Sequence, residues 1–293
     1  MKFIFISVVL FLAACEKKDA IPSPVISFEG SQKVTITGYS DHVMEPFISR
    51  DGSTLMFNNS NEAVNTNLHW ATRVNDSTFE YKGEIIGVNT VSLEGVPTMD
   101  MNGNFYFVST RDYDQILATL YQGIFDNGTV TNLTLVENIS KYQAGWINFD
   151  VEVDSSGETL YFVDGRFDQS GGPYESDIII ARKVNGEFQR LSNSDEILAN
   201  VNTDALEYAA CISADNLELY YTRVATPLTA SSKTEILVAT RLKDNESFRA
   251  PVKIQSITGF VEAATIAPNG DILYYHKKGS DGKFSLFLTR RSK

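Results

Sequence analysis

Cysteine is almost absent from this chain. Only Cys15 and Cys211 occur among its 293 residues. No disulfide can therefore form within the part that follows Cys15, and an exported domain would have to be held together by packing alone. About 260 residues are enough to bury a large core. Cys211 lies in the apolar stretch Tyr208–Ile212 and is predicted to be a small core residue.

Positive charge is also scarce, because 25 Lys and Arg face 37 Asp and Glu, which gives a net charge of −12. Nucleic-acid phosphates require clustered Lys and Arg, so we predict that the protein does not bind nucleic acid. The sequence has no GxSxG elbow, HExxH helix, P-loop or EF-hand loop. We therefore predict no metal ion and no cofactor, and the enzyme classes that depend on these motifs are disfavoured.

Long apolar runs are limited to one, at the amino terminus. Residues 1–14 (MKFIFISVVLFLAA) carry a single lysine and then only apolar or small residues. The run is too short to span a membrane and is typical of a secretory signal peptide. Its end, Leu12-Ala13-Ala14-Cys15, resembles the bacterial lipobox. That resemblance implies cleavage before Cys15, lipidation of Cys15 and a membrane as partner.

Residues 15–32 are polar and contain two prolines, so we predict a tether between a lipid anchor and a domain. Glu16 follows the cysteine, where an aspartate would suggest retention at an inner membrane. The expected location is thus the bacterial cell envelope, with the outer membrane favoured.

Helical periodicity is nearly absent, and a β-strand repeat takes its place. Five times a polar turn separates two apolar strands, and the second strand ends in an aromatic pair or a near equivalent. The copies are EPFISRDGSTLMF, GVPTMDMNGNFYF, FDVEVDSSGETLYF, AACISADNLELYY and EAATIAPNGDILYY. Their turn residues recur at intervals of 51 to 59 residues, which is typical of a repeat architecture: Gly52, Gly103, Gly157, Asn216 and Gly270.

Each repeat contains four short strands, so residues 33–293 are predicted to form an all-β, five-bladed β-propeller of four-stranded blades. The last repeat ends at its third strand, Phe284–Arg291. We predict that Lys33–Gly38 supplies the missing fourth strand. Pairing the two ends of the domain in one sheet would close the ring and remove its exposed edges. A monomer is expected.

The turn segments SRDGSTLMF, APNGDILYY and DSSGETLYF resemble the Ser-Pro-Asp-Gly repeat of TolB-like, WD-like propellers of bacterial envelopes. The resemblance covers the whole mature chain. It implies a protein-binding platform, although some related propellers are polysaccharide lyases or peptidase gates. The additional amino-terminal domain of TolB is absent here, so the resemblance does not imply a role in the Tol system.

An acidic residue recurs where one blade leads into the next: Glu45, Glu94, Asp150, Glu207 and Glu262. The innermost strands of a propeller begin around the central channel, so we predict that these carboxylates ring its mouth. Basic residues recur just beyond the second strands, on the same face: Arg111, Arg166, Arg223 and Lys277. The ring is either a set of ion pairs that clamp the blades or a site whose crowded carboxylates bind ligand or transfer protons.

His42 stands three residues before Glu45 and is a further candidate ligand-binding residue. A metal site built from His42, Glu45, Glu262 and His276 is conceivable, but no metal-ligand spacing supports it. Aromatic residues crowd the loops of the same face, and rings beside carboxylates suit a sugar. They are Tyr39, Tyr113, Trp146, Phe167, Tyr174 and Phe260.

Two functions remain open from the sequence. The first is an envelope-anchored lipoprotein whose propeller is a non-catalytic module that binds a protein or a glycan at the channel mouth. The alternative is a carbohydrate-active enzyme, a glycoside hydrolase or a polysaccharide lyase, that uses carboxylates of the ring as acid and base. No catalytic residue can be named from the sequence.

Overall fold

The computed structural model describes residues 26–229 and 232–292, and Cys15 lies outside this range. The described chain folds into five small, largely antiparallel sheets arranged as a propeller, which confirms the predicted fold class.

Two strands precede the first blade: β1 (Phe28–Lys33) and β2 (Thr35–Thr37). The strands of blade one are β3 (Met44–Ile48), β4 (Thr54–Asn58), β5 (Leu68–Asn75) and β6 (Thr78–Glu84). Those of blade two are β7 (Glu94–Met99), β8 (Asn104–Ser109), β9 (Leu120–Asp126) and β10 (Thr129–Leu135). Blade three has a divided inner strand, β11 (Trp146–Ile147) and β12 (Val151–Val153), followed by β13 (Thr159–Asp168), β14 (Gly171–Val184) and β15 (Glu187–Arg190).

The strands of blade four are β16 (Leu206–Ile212), β17 (Glu218–Val224), β18 (Thr234–Thr240) and β19 (Val252–Lys253). Those of blade five are β20 (Val261–Ile266), β21 (Ile272–Lys278) and β22 (Phe284–Arg291). The described helices are single turns, α1 (Tyr113–Ile116) and α2 (Ser194–Ile197). Within residues 26–229 and 232–292, no helix has the length and apolar character needed to cross a bilayer.

The repeated aromatic pair explains how neighbouring blades pack. Side chains alternate along a strand, so the two members of a pair point to opposite faces of their blade. In blade four, Tyr220 enters the core shared with blade five, and Tyr221 enters the core shared with blade three. Tyr274 and Tyr275 divide in the same way between blades one and four. Five buried clusters result, each filled from two adjacent blades.

The turns between the first and second strands of the blades share one backbone geometry. All five turn residues adopt the left-handed conformation, which glycine and asparagine tolerate best. Their φ angles are 74° at Gly52, 82° at Gly103, 77° at Gly157, 61° at Asn216 and 74° at Gly270.

An amino-terminal strand completes blade five, but it begins earlier than predicted. β1 pairs antiparallel with β22, with Phe28 opposite Arg291 and Lys33 opposite Phe287. Only Lys33 of the predicted Lys33–Gly38 segment belongs to this strand. After Lys33, the side chains of Val34 and Ile36 are buried in the core between blades five and one. Burying them takes the chain away from β22. The tether assigned to residues 15–32 therefore includes residues that belong to blade five.

The segment that follows β1 has a second structural role. β2 pairs in parallel with β6 and makes blade one a five-stranded sheet. The amino-terminal segment thus covers the outer edges of two adjacent blades before it enters the ring at β3.

We expect closure of the ring to depend on β1. A variant that starts at Val34 exposes the edge of β22 and removes Phe28, which is 6% exposed and packs edge-on against Tyr220. It should lose cooperative urea unfolding and form aggregates in size-exclusion chromatography. A variant that starts at Ile26 is the control and should unfold like the mature chain. A monomeric, cooperative variant from Val34 would show that β1 is dispensable.

Candidate functional site

A bulge in the innermost strand shapes the channel mouth. In blades one, two, four and five the register between the first two strands shifts at a residue with positive φ. These residues are Glu45 (46°), Val96 (53°), Ala209 (52°) and Ala263 (50°). A non-glycine residue in this conformation is strained, so the surroundings must hold it there.

Each bulge is held by a side chain of the preceding blade. The backbone N–H of Val96 donates to Asn58 Oδ1 at 3.1 Å, and that of Ala209 donates to Asp150 Oδ2 at 3.1 Å. The N–H of Ala263 donates to Thr222 Oγ1 at 3.1 Å. The remaining case joins blade one to blade five, where the N–H of Glu45 donates to His276 Nδ1 at 3.0 Å.

Three of the five predicted ring carboxylates meet at the mouth of the channel. Glu45 is the bulged residue of β3, Asp150 immediately precedes β12, and Glu262 is the second residue of β20. All three line one cavity of about 350 Å³. Glu45 and Asp150 are only 8% and 3% exposed.

Glu262 is the most extensively bonded of the three. Tyr208 donates its hydroxyl to Glu262 Oε1, and His276 Nε2 lies 3.2 Å from Glu262 Oε2. Because His276 accepts from the Glu45 N–H at Nδ1, it carries a proton on Nε2 and donates it to Glu262. Burial would lower the pKa of His276, but the hydrogen bond to Glu262 and the nearby Glu45 carboxylate raise it overall.

Glu45 and Asp150 each have one carboxylate oxygen that accepts no hydrogen bond from residues 26–229 or 232–292. Asn61 donates to Glu45 Oε1 at 2.9 Å, and Ala209 N–H donates to Asp150 Oδ2. Burial raises the pKa of Glu45, and the Glu262 carboxylate adds to this rise. Burial likewise raises the pKa of Asp150 well above its usual range, and the charges of Glu45 and Glu262 add to it. The site therefore favours a bound proton or a bound cation.

The walls of the cavity are largely apolar and aromatic. Phe149 packs edge-on against Phe167 at 5.7 Å between ring centres and lies 6.0 Å from the ring of Tyr208. The other lining residues are Asn61, Ala63, Leu93, Gly95, Val96, Val108, Thr110, Ile147 and Pro173. A volume near 350 Å³ is within the range of small-molecule sites.

The channel below this cavity is narrow and closed at its far end. The innermost strands of all five blades line a continuation of only about 30 Å³, close to the size of one water molecule. Beyond it, Arg50 extends from blade one to Glu152 of blade three at 2.6 Å, and both side chains are buried. Thr98 of blade two donates to the other Glu152 oxygen at 2.7 Å. The mouth is therefore a blind pocket.

Glu94 and Glu207, by contrast, belong to repeated structural networks. Glu94 accepts from Thr90 and lies 3.3 Å from Arg111, and Glu207 accepts from Thr203 and lies 2.6 Å from Arg223. Both carboxylates are fully buried, and both networks tie the start of an inner strand to the loop before it. Neither carboxylate lines the pocket.

The remaining predicted residues lie apart from the three carboxylates. Arg166 pairs with exposed Glu175 at 2.6 Å on the projecting β13–β14 hairpin. Lys277 lies over the ring of Phe287, and in the described part of the chain no carboxylate is within 4.0 Å of its amine. His42 accepts from the backbone N–H of Phe284 at 3.1 Å. The described residues hold no cluster of His, Cys, Asp and Glu suited to a metal ion.

Sequence reasoning did not identify Tyr208, Phe149 or Asn61 as pocket residues, and it named His276 only as a conceivable metal ligand. The one available signal was the spacing of the acids. They stand 12 to 14 residues before the last aromatic of the second strand rather than at one constant distance. This spacing distinguishes the acids only in part, because Glu94 and Glu262 both stand 13 residues before that aromatic and only Glu262 lines the pocket.

No protein-family model matches the sequence, and no curated protein matches it. Among solved structures, one described as a glycoside hydrolase superposes with a TM-score of 0.57 at 11% identity, covering 89% of this chain and 90% of that one. A family 117 glycoside hydrolase from Zobellia galactanivorans gives 0.56 at 9% identity, covering 91% and 90%.

TolB from Acinetobacter baumannii is also similar, with a TM-score of 0.46, 14% identity, and coverage of 86% of this chain and 55% of that one. At identities of 11% and 9%, the likeness to the two glycoside hydrolase structures shows the propeller fold alone.

The two kinds of carboxylate should respond oppositely to neutralisation. At pH 7, Glu207→Gln should lower the free energy of unfolding by about 1–3 kcal/mol, because half-buried Arg223 loses a charged partner. Asp150→Asn should raise it, because an amide still accepts from Ala209 N–H and removes a buried, repelled charge. Each unit of raised pKa corresponds to about 1.4 kcal/mol. Urea unfolding of both variants measures whether each substitution lowers or raises the free energy of unfolding.

The pH dependence gives a further check on Asp150. Its folded-state pKa is raised, so its contribution to stability is fully present below the unfolded pKa near 4 and is lost as pH rises through the folded pKa. The advantage of Asp150→Asn over the natural chain should thus be small at pH 4 and grow toward neutral pH. Exposed Glu29→Gln is the control and should follow the natural chain. A destabilised Asp150→Asn at pH 7 would assign Asp150 to the structural class.

Proposed function

We propose that this protein is an envelope-anchored lipoprotein whose propeller binds the end of a glycan in the blind pocket. The observation that carries the proposal is the pocket itself: about 350 Å³, closed below, with three carboxyl groups at its base and aromatic rings on its wall. A dead-end cavity of this size admits one sugar unit and excludes the middle of a long chain.

The polar groups suit a sugar. The free oxygens of Glu45 and Asp150 can accept hydrogen bonds from hydroxyl groups, and Asn61 and Thr110 line the upper wall. The rings of Phe149 and Phe167 offer apolar faces against which the C–H face of a sugar packs. A protein partner would instead need a broad, well-packed contact area of about 800 Å² per side.

The anchor completes the proposal. The lipobox-like Leu12–Cys15 and the polar residues after it support attachment through a lipid at Cys15, in the envelope and preferably at the outer membrane. The pocket would then be presented to glycans near that membrane. The overall negative charge supports a partner other than nucleic acid.

A glycoside hydrolase is the second candidate, and one observation favours it. Glu45 and Asp150 line the same cavity, and burial raises the pKa of both. A general acid at neutral pH requires a raised pKa, and a glycosidase needs a second carboxylate nearby. Against it, Glu262 is occupied by Tyr208 and His276, and Asp150 holds the Ala209 bulge.

Glycan binding can be tested with the soluble domain. We expect millimolar or tighter binding of at least one class in a panel of short oligosaccharides, measured by calorimetry. Ala63→Trp should weaken it about tenfold or more, because Ala63 is exposed at the pocket wall and a large ring there blocks entry. Val184→Trp, at an exposed site outside the pocket, is the control and should bind normally.

Two results would change this proposal. Equal binding by Ala63→Trp and the natural chain would place the glycan elsewhere, and no binding across the panel would refute glycan recognition. Release of new reducing ends from a bound oligosaccharide, abolished by Asp150→Asn, would establish the hydrolase instead.

The anchor has its own test. Cys15→Ser removes the thiol that would carry the lipid, so the full-length variant should remain unprocessed or leave the detergent phase in Triton X-114 partition. The natural chain should enter that phase after cleavage. Cys211→Ser, which alters a buried residue of the channel wall, controls for loss of a thiol as such. Unchanged partition of Cys15→Ser would refute lipid anchoring there.

A further inference from the structure

The pocket has an unusual balance of charge. Three of its fifteen lining residues are acidic, and among the described residues that line it none is Lys, Arg or His. Two arginines predicted to lie on this face, Arg111 and Arg223, instead pair with Glu94 and Glu207 outside the cavity. The cationic Arg50 lies at the other end of the channel, paired with Glu152. In the described part of the chain the cavity lining therefore holds no Lys or Arg, and the positive charge that His276 can carry is directed at Glu262.

Two of these acids also have one carboxylate oxygen each that accepts no hydrogen bond from the described residues. Glu45 Oε2 and Asp150 Oδ1 have no hydrogen-bond partner in the described part of the chain, although the side chains are 8% and 3% exposed. Neither oxygen is among the buried atoms that lack a partner, so each is open to the cavity and can accept a hydrogen bond from a ligand without breaking a protein bond. Both carboxyl groups line the cavity, which places their free oxygens where a bound ligand can meet them.

The other titratable groups at the base are already committed. Glu262 accepts from Tyr208 and His276, and His276 also accepts from the Glu45 backbone. The hydroxyl of Tyr208 and the Nε2–H of His276 therefore donate to Glu262, and neither group donates to the carboxylate of Glu45 or Asp150. Asn61 supplies one donor to Glu45, through the oxygen that is not free.

We propose that the pocket is selective for a sugar that carries a free primary amine, with its ammonium group held between Glu45 and Asp150. This inference rests on the proposed glycan binding and names the class of glycan. An ammonium group brings three donors and one positive charge, so it can bond to both free oxygens and offset the mutual repulsion of the two carboxylates. A neutral hydroxyl or acetamido group can supply hydrogen bonds but does not offset the repulsion between the carboxylates.

The aromatic wall is consistent with the same ligand. Phe149, Phe167 and Tyr208 lie on the blade-three and blade-four side of the cavity. Ring faces attract cations as well as sugar C–H groups, so an amino sugar gains on this side too. N-acetylation removes the charge and adds bulk at the base, where the channel narrows to about 30 Å³.

The test compares oligosaccharides that differ only in the amine. Dimers or trimers of glucosamine, N-acetylglucosamine and glucose are titrated into the domain at pH 7 and low salt by calorimetry. We expect the glucosamine oligomer to bind at least about tenfold more tightly than the other two. Asp150→Asn and Glu45→Gln should each reduce this preference markedly, whereas exposed Glu29→Gln should preserve it.

The pH dependence of binding shows whether the pocket recognises the charge of the amine or only the shape of the sugar. Below the pKa of the sugar amine, ammonium binding draws Glu45 and Asp150 into their ionised forms, with Glu262 and His276 as the adjacent titratable pair. Affinity should therefore rise between pH 5 and pH 7, and protons should be released, as seen from titrations in buffers of different ionisation enthalpy.

The outcomes separate the two proposals. Equal affinity for all three sugars would overturn amine selectivity and leave glycan binding standing. A glucosamine preference that survives in Asp150→Asn and Glu45→Gln would also overturn the inference, because the amine would then lie elsewhere. No binding of any sugar would overturn the proposed function, and the inference with it.

Discussion

The arrangement of this propeller depends on one repeated contact between blades. A side chain of one blade accepts a hydrogen bond from the N–H of a left-handed, bulged residue in the next blade, as Asn58 does for Val96 and Thr222 for Ala263. The bulge re-aims the inner strand and the contact fixes its angle to the neighbouring blade. Hydrophobic packing alone would let adjacent sheets slide, since it is not directional.

The pocket arises where this contact is made by titratable groups. At the ring closure the acceptor is His276 and the bulged residue is Glu45, and between blades three and four the acceptor is Asp150. The same atoms that hold the ring together therefore place carboxylates at the channel mouth. A buried acid that serves the backbone through one oxygen and faces a cavity with the other can be both structural and ligand-binding. The five acids therefore have different roles, because Glu94 and Glu207 form structural ion pairs and the other three line the pocket.

The opposite end of the channel shows how the fold limits access. Arg50, Glu152 and Thr98 join blades one, two and three across the axis, and all three are buried. A buried ion pair is weak evidence for stability, because desolvation offsets much of its attraction. In this protein the ion pair closes the channel, so the mouth is a pocket with one opening.

The sequence by itself determined the repeat, the blade number, the turns and the core. These follow from local patterns, namely apolar alternation, turn residues that tolerate positive φ and aromatic pairs such as Tyr220 and Tyr221, which must be buried on both faces of a blade. The recurring acids could also be located along the chain. Which of them face the channel could not, because the bulges occur at Glu45, Val96, Ala209 and Ala263, residues that carry no signal for a left-handed backbone.

Only the tertiary structure decided the composition of the site. Glu94 and Glu207 stand two residues before a bulge position and meet Arg111 and Arg223 there, whereas Glu45 is itself the bulged residue. The partners that distinguish them are distant in sequence, such as His276 for Glu45 and Glu262 for Tyr208. The start of the closing strand at Phe28 depends likewise on an edge of β22 supplied by the other end of the chain. Local pattern cannot encode such pairings, because they exist only once the ring has closed.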